Sequence, residues 1–227
     1  MRDDKQRALL SWSSGKDSAW CLHVLRQQPG VEVAGLLTTF NAAADRVAMH
    51  AVRRSLAELQ AQAVGLPLIA VDLPWPCPNA AYENAMQSAL KIAVKDLDIQ
   101  AVAFGDLFLA DIRSYREKQM SAWGLEPLFP IWNEPTAELS RKMLENGLQA
   151  ILTCVDPNQC PGEFIGRQYD LDLLQQLPEN VDPCGENGEF HTFAFNGPMF
   201  DAPIEVNCGE IVVRDGFVFV DLVPAPR

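Results

Sequence analysis

The chain has 227 residues, 48% of them hydrophobic, and a net charge of −12. That length suits one large α/β domain, or one domain with a small appendage, and supplies enough apolar side chains for a substantial core. No apolar run approaches the ~18 residues of a membrane span, Met1–Lys5 lacks the pattern of a leader, and with only three histidines a zinc site is not expected. Six cysteines without a CxxC pair read as free or buried thiols of a reducing compartment, so a soluble, cytoplasmic protein is expected. From Glu163 onward 12 acidic residues face only Arg167, Arg214 and Arg227, a poor surface for a polyanion.

Leu9-Leu10 reads as the end of a buried strand, Ser11–Ser18 as a small polar turn, and the residues from Ser18 to about Gln28 as a helix stopped by Pro29-Gly30. A strand feeding such a turn at a helix N-terminus is a recipe for an anion site, because backbone N–H groups and the helix dipole converge there. Gly15 permits close approach, Lys16 supplies a positive charge, and Asp17 can hold Mg²⁺ beside phosphate oxygens. A serine-rich cap without a ligand is the plainer alternative. A Walker A loop is excluded, since Leu10 and Asp17 stand where Gly and Ser/Thr are required, and one glycine makes no dinucleotide fingerprint.

Residues 31–39 form a second predicted strand, followed by a loop at its carboxyl end. A helix follows with Met49, Val52, Leu56, Leu59 and Ala63 on one stripe and His50, Arg53 and Arg54 on another face. That face reads as solvated, with His50 near enough to the loop to border a nucleotide. Leu66–Leu73 is a third strand, Asn79–Leu97 a long helix and Ile99–Phe104 a fourth strand, ending in Gly105-Asp106. Ligands of open α/β sheets bind beyond such strand ends, which brings Asp106 and Asp111 into view; Asp111 reads equally as the cap of a helix over 112–123. That helix carries Arg113 and Arg116. Glu126–Trp132 is a short fifth strand, Pro135–Gly147 a helix and Leu148–Val155 a sixth strand, an alternation that predicts a parallel sheet over about residues 6–156. Gln168–Leu177 is a short helix, and Glu210–Asp221 a hairpin turning at Asp-Gly. The loop Gly185–Glu189 reads as a surface turn or a ligand loop.

Ser13-Ser14-Gly15-Lys16-Asp17-Ser18 resembles the SGGKDS signature of the PP-loop ATP pyrophosphatases, which cleave ATP to AMP and pyrophosphate. Ser14 replaces a Gly, and a positive φ there costs serine more. Cys184-Gly185-Glu186-Asn187-Gly188-Glu189-Phe190-His191-Thr192-Phe193, followed by Asn196-Gly197-Pro198-Met199-Phe200, is similar to the GEGGE(F/Y)ETF…DGPLF motif of the diphthine–ammonia ligase family, itself PP-loop. Phe104-Gly105-Asp106 with the Arg113 helix, Pro127–Trp132 and Phe164–Arg167 match further segments in the same order. The departures are Ser14 and Asn187 for Gly and His191 for Glu.

The resemblance implies a Rossmann-like parallel sheet of the adenine nucleotide alpha hydrolase type, with a PP-loop ATP-binding domain over 1–160 and a small C-terminal α+β extension over 161–227. It implies an ATP-dependent ligase that adenylates a carboxylate and lets ammonia displace AMP, with ATP and Mg²⁺ required. In archetypal members the carboxylate is that of diphthine on elongation factor two. By matching positions, Ser11, Ser13, Ser14, Gly15, Lys16, Asp17 and Ser18 cradle the phosphates, with Lys16 and Asp17 catalytic and Asp17 on the metal. Glu186 and Glu189 are the acceptor-side catalytic carboxylates, and Arg113, Asn187, Gly188 and Thr192 bind the acceptor. Strand-end position alone sets Thr38, Thr39, Phe40, His50, Gly105 and Asp106 beside the nucleotide. On this division Asp17→Ala should collapse adenylation, whereas Glu189→Ala should spare ATP binding. The partners are nucleotide, ammonia and a carboxylate acceptor, with neither nucleic acid nor membrane expected and a homodimer left open. Two alternatives stand: a PP-loop tRNA thiolase using Cys154 and Cys160, against which the missing CxxC and acidic tail count, and a non-catalytic ATP- or AMP-binding module of the same fold.

Overall fold

Ala8, Leu9 and Leu10 have no exposed surface, and the strand they build, β1 (Gln6–Ser11), lies in the middle of a sheet. A computed structural model describes residues 5–225; Met1–Asp4, read above as no leader, lie outside the described residues. On one side β1 runs parallel to β2 (Val31–Asn41), and on the other to β5 (Ala101–Ala103), which is followed by β6 (Glu126–Leu128). β4 (Leu68–Leu73) also pairs parallel with β2, while β3 (Arg46–Val47) turns back antiparallel on its end. Successive residues of β1 serve opposite faces. Leu10 packs with Trp20, Leu22 and Leu56 of α1 (Lys16–Gln27) and α2 (Arg54–Ala63), and Leu9 with Leu90 and Ala93 of α3 (Asn79–Leu97). Helices thus cover both faces, as a parallel sheet requires. α4 (Ala110–Ala122), α5 (Thr136–Glu145) and α6 (Leu171–Gln176) complete the α-helices among the described residues, with one 3₁₀ turn at Gly162–Phe164. None is long and apolar enough to cross a membrane.

A second sheet is antiparallel throughout, in the order β8 (Phe190–Asn196), β7 (Gln149–Val155), β10 (Phe217–Pro224), β9 (Val206–Arg214). Its Leu152, Phe193 and Leu222 share one core with Trp12, Trp20 and Leu56 of the first sheet's layer. Both residues of the predicted Asp215-Gly216 turn have positive φ, 51° and 87°, as a two-residue primed hairpin demands.

Three expectations are corrected here. The strand at Leu148–Val155 is not a sixth parallel strand; it pairs antiparallel with β8 and β10. Its apolar, two-face-buried pattern suits either sheet, and the choice is made by partner strands that come later in the chain. Met49 and His50 are not on a helix. Met49 and Ala51 sit at positive φ (64° and 55°), the Arg46↔Arg53 bridge closes this turn, and α2 begins at Arg54. The fifth strand keeps only Glu126–Leu128 of its predicted span.

Candidate active site

At the carboxyl end of β1 the chain makes a turn held from several sides. The Trp12 carbonyl accepts from Thr38 Oγ1 at 2.8 Å, and the indole donates to Gln60 Oε1 at 2.8 Å. Gln60 is fully buried on α2, and its amide nitrogen donates to the carbonyls of both Ser14 (3.0 Å) and Ala194 (2.6 Å). Ser14 also accepts from Ala194 N at 2.9 Å, so the turn is stapled to β8. Its φ is 70°, the left-handed conformation that the serine-for-glycine departure made costly, and its buried Oγ has no hydrogen-bond partner among the described residues.

Gly15 is the N-cap of α1 and makes no side-chain cap bond. A Cβ there would come within 2.9 Å of the His50 ring, so this position must be glycine for His50 to pack on the turn. Ser18 Oγ donates to the Gly15 carbonyl at 3.0 Å and lies 3.2 Å from Ser13 Oγ. Lys16 N, the first donor of α1, is satisfied by Thr192 Oγ1 at 3.1 Å.

The Lys16 side chain is 2% exposed. Its ammonium pairs with Asp17 at 2.8 Å, donates to the Cys184 carbonyl, and stands 5.4 Å and 5.6 Å over the rings of Tyr169 and Phe190. Burial is the largest single influence and works against the charge, but Asp17, with smaller help from Cys184 and Glu186, outweighs it in sum and holds the pKa above the usual lysine value. Burial also raises the Asp17 pKa, and the ammonium is held in place as one half of a buried ion pair.

The loop from Asp182 to Thr192 closes over this charge. Gly185 turns it at φ 70°, where a Cβ would lie 2.7 Å from the Phe190 carbonyl. Glu186 reaches across to accept from Leu107 N at 2.7 Å, and burial raises its pKa to about 7 despite that bond. Glu189 faces the other way. It is 2% exposed, and its carboxylate accepts from Asp182 N, Asn187 N and Asn187 Nδ2, each at 2.9 Å. It holds the loop in shape from behind. His191 stacks on His50 with centroids 4.6 Å apart, and burial lowers their pKa values to about 4 and about 3, so both rings are neutral at pH 7.

These parts enclose a cleft of about 590 Å³. Ser11, Ser13, Lys16, Asp17 and Ser18 form one end, with Thr39, His50, Gly105 and Asp106 beside them. Glu186, Asn187, Gly188 and Thr192 of the closing loop line it as well, Thr192 in direct contact with Lys16. The remaining predicted residues are elsewhere. Ser14 and Gly15 shape the turn from beneath, Thr38 supports Trp12, and Phe40 is buried under Arg54, whose guanidinium lies 4.0 Å from its ring. Arg113 lies on Phe129 and Trp132, 4.7 Å and 4.8 Å from their centroids, and pairs with Glu117 outside the cleft. Asp111 neither caps α4, whose N-cap is Leu109, nor lines the cleft.

Arg116, one turn beyond Arg113, does line it. It donates to Asp106 at 2.7 Å and lies 4.4 Å from the Phe104 ring. The i, i+3 spacing put both arginines on one face without saying which would meet Asp106. The apolar wall of Tyr82, Met86, Leu109 and Ile112 carries no local signal, because it is assembled from two helices. Cys154 and Cys160 are not in the cleft; burial pushes them up to about 12 and about 11, as it does Cys184 to about 12. Uncharged thiols are poor nucleophiles.

Residues 6–127 match the family model described as the diphthamide synthase N-terminal domain, and residues 135–222 match the diphthamide synthase C-terminal domain. A Danio rerio protein named diphthine–ammonia ligase is 28% identical over 229 residues, covering 91% of this chain and 89% of that protein. Proteins of the same name from Rattus norvegicus and Homo sapiens are 30% and 26% identical over 151 residues. There the match covers 63% of this chain and 55% of each relative, about half their length.

Proposed function

Because the chain belongs to the diphthamide synthase family, we propose that it is an ATP-dependent ligase that converts a carboxylate to an amide with ammonia, releasing AMP and pyrophosphate. The relatives' name points to diphthine as the acceptor. The observation that carries the reading is the meeting of two distant segments at one charge: the Ser13–Ser18 turn and the Cys184–Thr192 loop share Lys16, through its backbone N–H and its ammonium. In this reading the elements up to about residue 160 handle ATP, and the extension from 161 presents the acceptor wall.

The residues fit a triphosphate. The N-cap of α1 is a glycine, and Lys16 and two serine hydroxyls lie around this helix N-terminus. No group of three or more His, Cys, Asp or Glu among the described residues is placed to hold a metal, so Mg²⁺ would take Asp17 and complete its shell from phosphate oxygens and water. When bound, that ion would neutralise charge on the leaving pyrophosphate. Lys16 needs no reorganisation to do the same, because Asp17 and the Cys184 carbonyl already fix it. The carboxylate attacks the α-phosphorus, and ammonia then attacks the adenylated carbonyl carbon as AMP leaves. Glu186, with a pKa of about 7 and its carboxyl at the cleft wall, takes the proton that ammonia loses as the C–N bond forms. Asp106, held by Arg116, borders the phosphate end of this site.

The test is a product assay with purified protein, ATP, Mg²⁺, ammonium and elongation factor two bearing diphthine. AMP, pyrophosphate and amide in equal amounts are expected. ADP with orthophosphate would overturn the ligase reading, and AMP without amide would overturn the acceptor.

A further inference from the structure

β9 is the outer strand of the second sheet; among the described residues it pairs only with β10. From Asn207 to Arg214 every residue is exposed, and Ile211, Val212 and Val213 remain 57%, 38% and 74% accessible. A nine-residue edge strand with apolar side chains on both faces is an open template for another strand.

We propose that β9 pairs antiparallel with β9 of a second copy of this chain, about a twofold axis at Val212, joining the two four-stranded sheets into one. The segment Glu210-Ile211-Val212-Val213-Arg214 is complementary to itself in that direction. Glu210 faces Arg214 of the second copy, twice over by symmetry; Ile211 faces Val213, and Val212 faces Val212. Opposite charges and branched apolar pairs placed directly across strands attract, and like charges repel. Centring on Glu210 would oppose the two glutamates, and centring on Ile211 would leave each arginine facing Cys208.

From Ile211 to Arg214 the backbone parity agrees; the register with β10 shifts between Ile211 and Cys208, so Glu210 marks the end of the stretch that can pair regularly. Arg214 and Phe217 close the two-residue turn, so Arg214 and Val212 spend their N–H and C=O on β10. Ile211 and Val213 present theirs to the free edge. With the axis at Val212 these two form hydrogen-bonded pairs with each other across the interface. The contact is isologous and consumes the edge on both copies, so assembly stops at two.

Sedimentation velocity on the full chain tests this. The wild type is expected to be a dimer, with Glu210→Arg and Arg214→Glu each weakening it by roughly ten- to a hundredfold, and the double swap restoring it. Val213→Pro removes an N–H from the free edge only, so it should give a monomer with unchanged circular dichroism. A wild type that stays monomeric up to ~100 µM, well above common homodimer dissociation constants, or that forms larger species, overturns the proposal. A dimer that Val213→Pro breaks but that ignores the charge variants overturns the Val212 register.

Discussion

Ser14→Gly is expected to make the protein more stable. Ser14 lies at φ 70° with a buried, unpartnered hydroxyl. Left-handed backbone costs a non-glycine residue about 1–2 kcal/mol, and a glycine gives back about 0.4–1 kcal/mol through the looser unfolded chain. The backbone term thus nets on the order of 0.5–1 kcal/mol, and removing the unsatisfied hydroxyl adds about 1 kcal/mol. The bonds that staple the turn use the Ser14 carbonyl, which the substitution keeps. The sum, about 1.5 kcal/mol, corresponds to a rise in melting temperature of roughly 3–6 °C for a chain of this size. Ser14→Ala, which removes the hydroxyl but keeps the strained φ, should gain about 1 kcal/mol. Differential scanning calorimetry on the three proteins reads this directly. A glycine variant that melts at or below the wild type refutes the reasoning.

Glu189→Ala should not spare nucleotide binding, contrary to the expectation from sequence. It strips the acceptor from three donors of a loop that also holds Lys16, at a cost of roughly 2–4 kcal/mol, so ATP affinity by calorimetry should fall together with the melting temperature. ATP affinity unchanged in a folded variant would count against it. For Glu186 the folded protein binds the proton more tightly than the unfolded chain, since its pKa rises from 4.5 to about 7. Its contribution to stability is complete below pH 4.5 and is lost as pH rises through about 7. His50 and His191, lowered from 6.5, act with the opposite sign and lose stability as pH falls toward about 3 and about 4. Urea midpoints of wild type and Glu186→Gln, whose amide stands in for the protonated acid, should therefore lie together at low pH and diverge as pH rises through about 7, the wild type becoming the less stable; parallel curves would refute it.

Local chemistry was legible wherever a single segment decides the structure. The strand–turn–helix at Leu10–Ala19 is specified by its burial pattern and small polar residues, and the Asp215-Gly216 hairpin by its turn type. What could not be read depends on partners remote in sequence. Leu148–Val155 is equally apolar for either sheet, and only Phe190–Asn196 and Phe217–Pro224 assign it. Glu186 and Glu189 are both carboxylates in one glycine-bearing loop. Their opposite orientations follow from a backbone whose path Gly185 and the Phe190 carbonyl set, and no spacing rule encodes that. Met49 fits the apolar stripe of a helix, yet the short β3 pairing turns the chain there before a helix can start.

The contact between Lys16 and the closing loop also sets an order of events during synthesis. The backbone bond to Thr192 spans 176 positions and the bond to Cys184 spans 168. A nascent chain can fold β1, α1 and β2 early, because those contacts are local. Its lysine meanwhile lacks the carbonyl that will receive it and the aromatic rings that will cover it. Contacts of such separation form late, since a large loop entropy must be overcome before they contribute. The cleft is therefore completed only when most of the polypeptide has left the ribosome, and a stalled or prematurely terminated product carries the Ser13–Ser18 turn without the loop that closes over it.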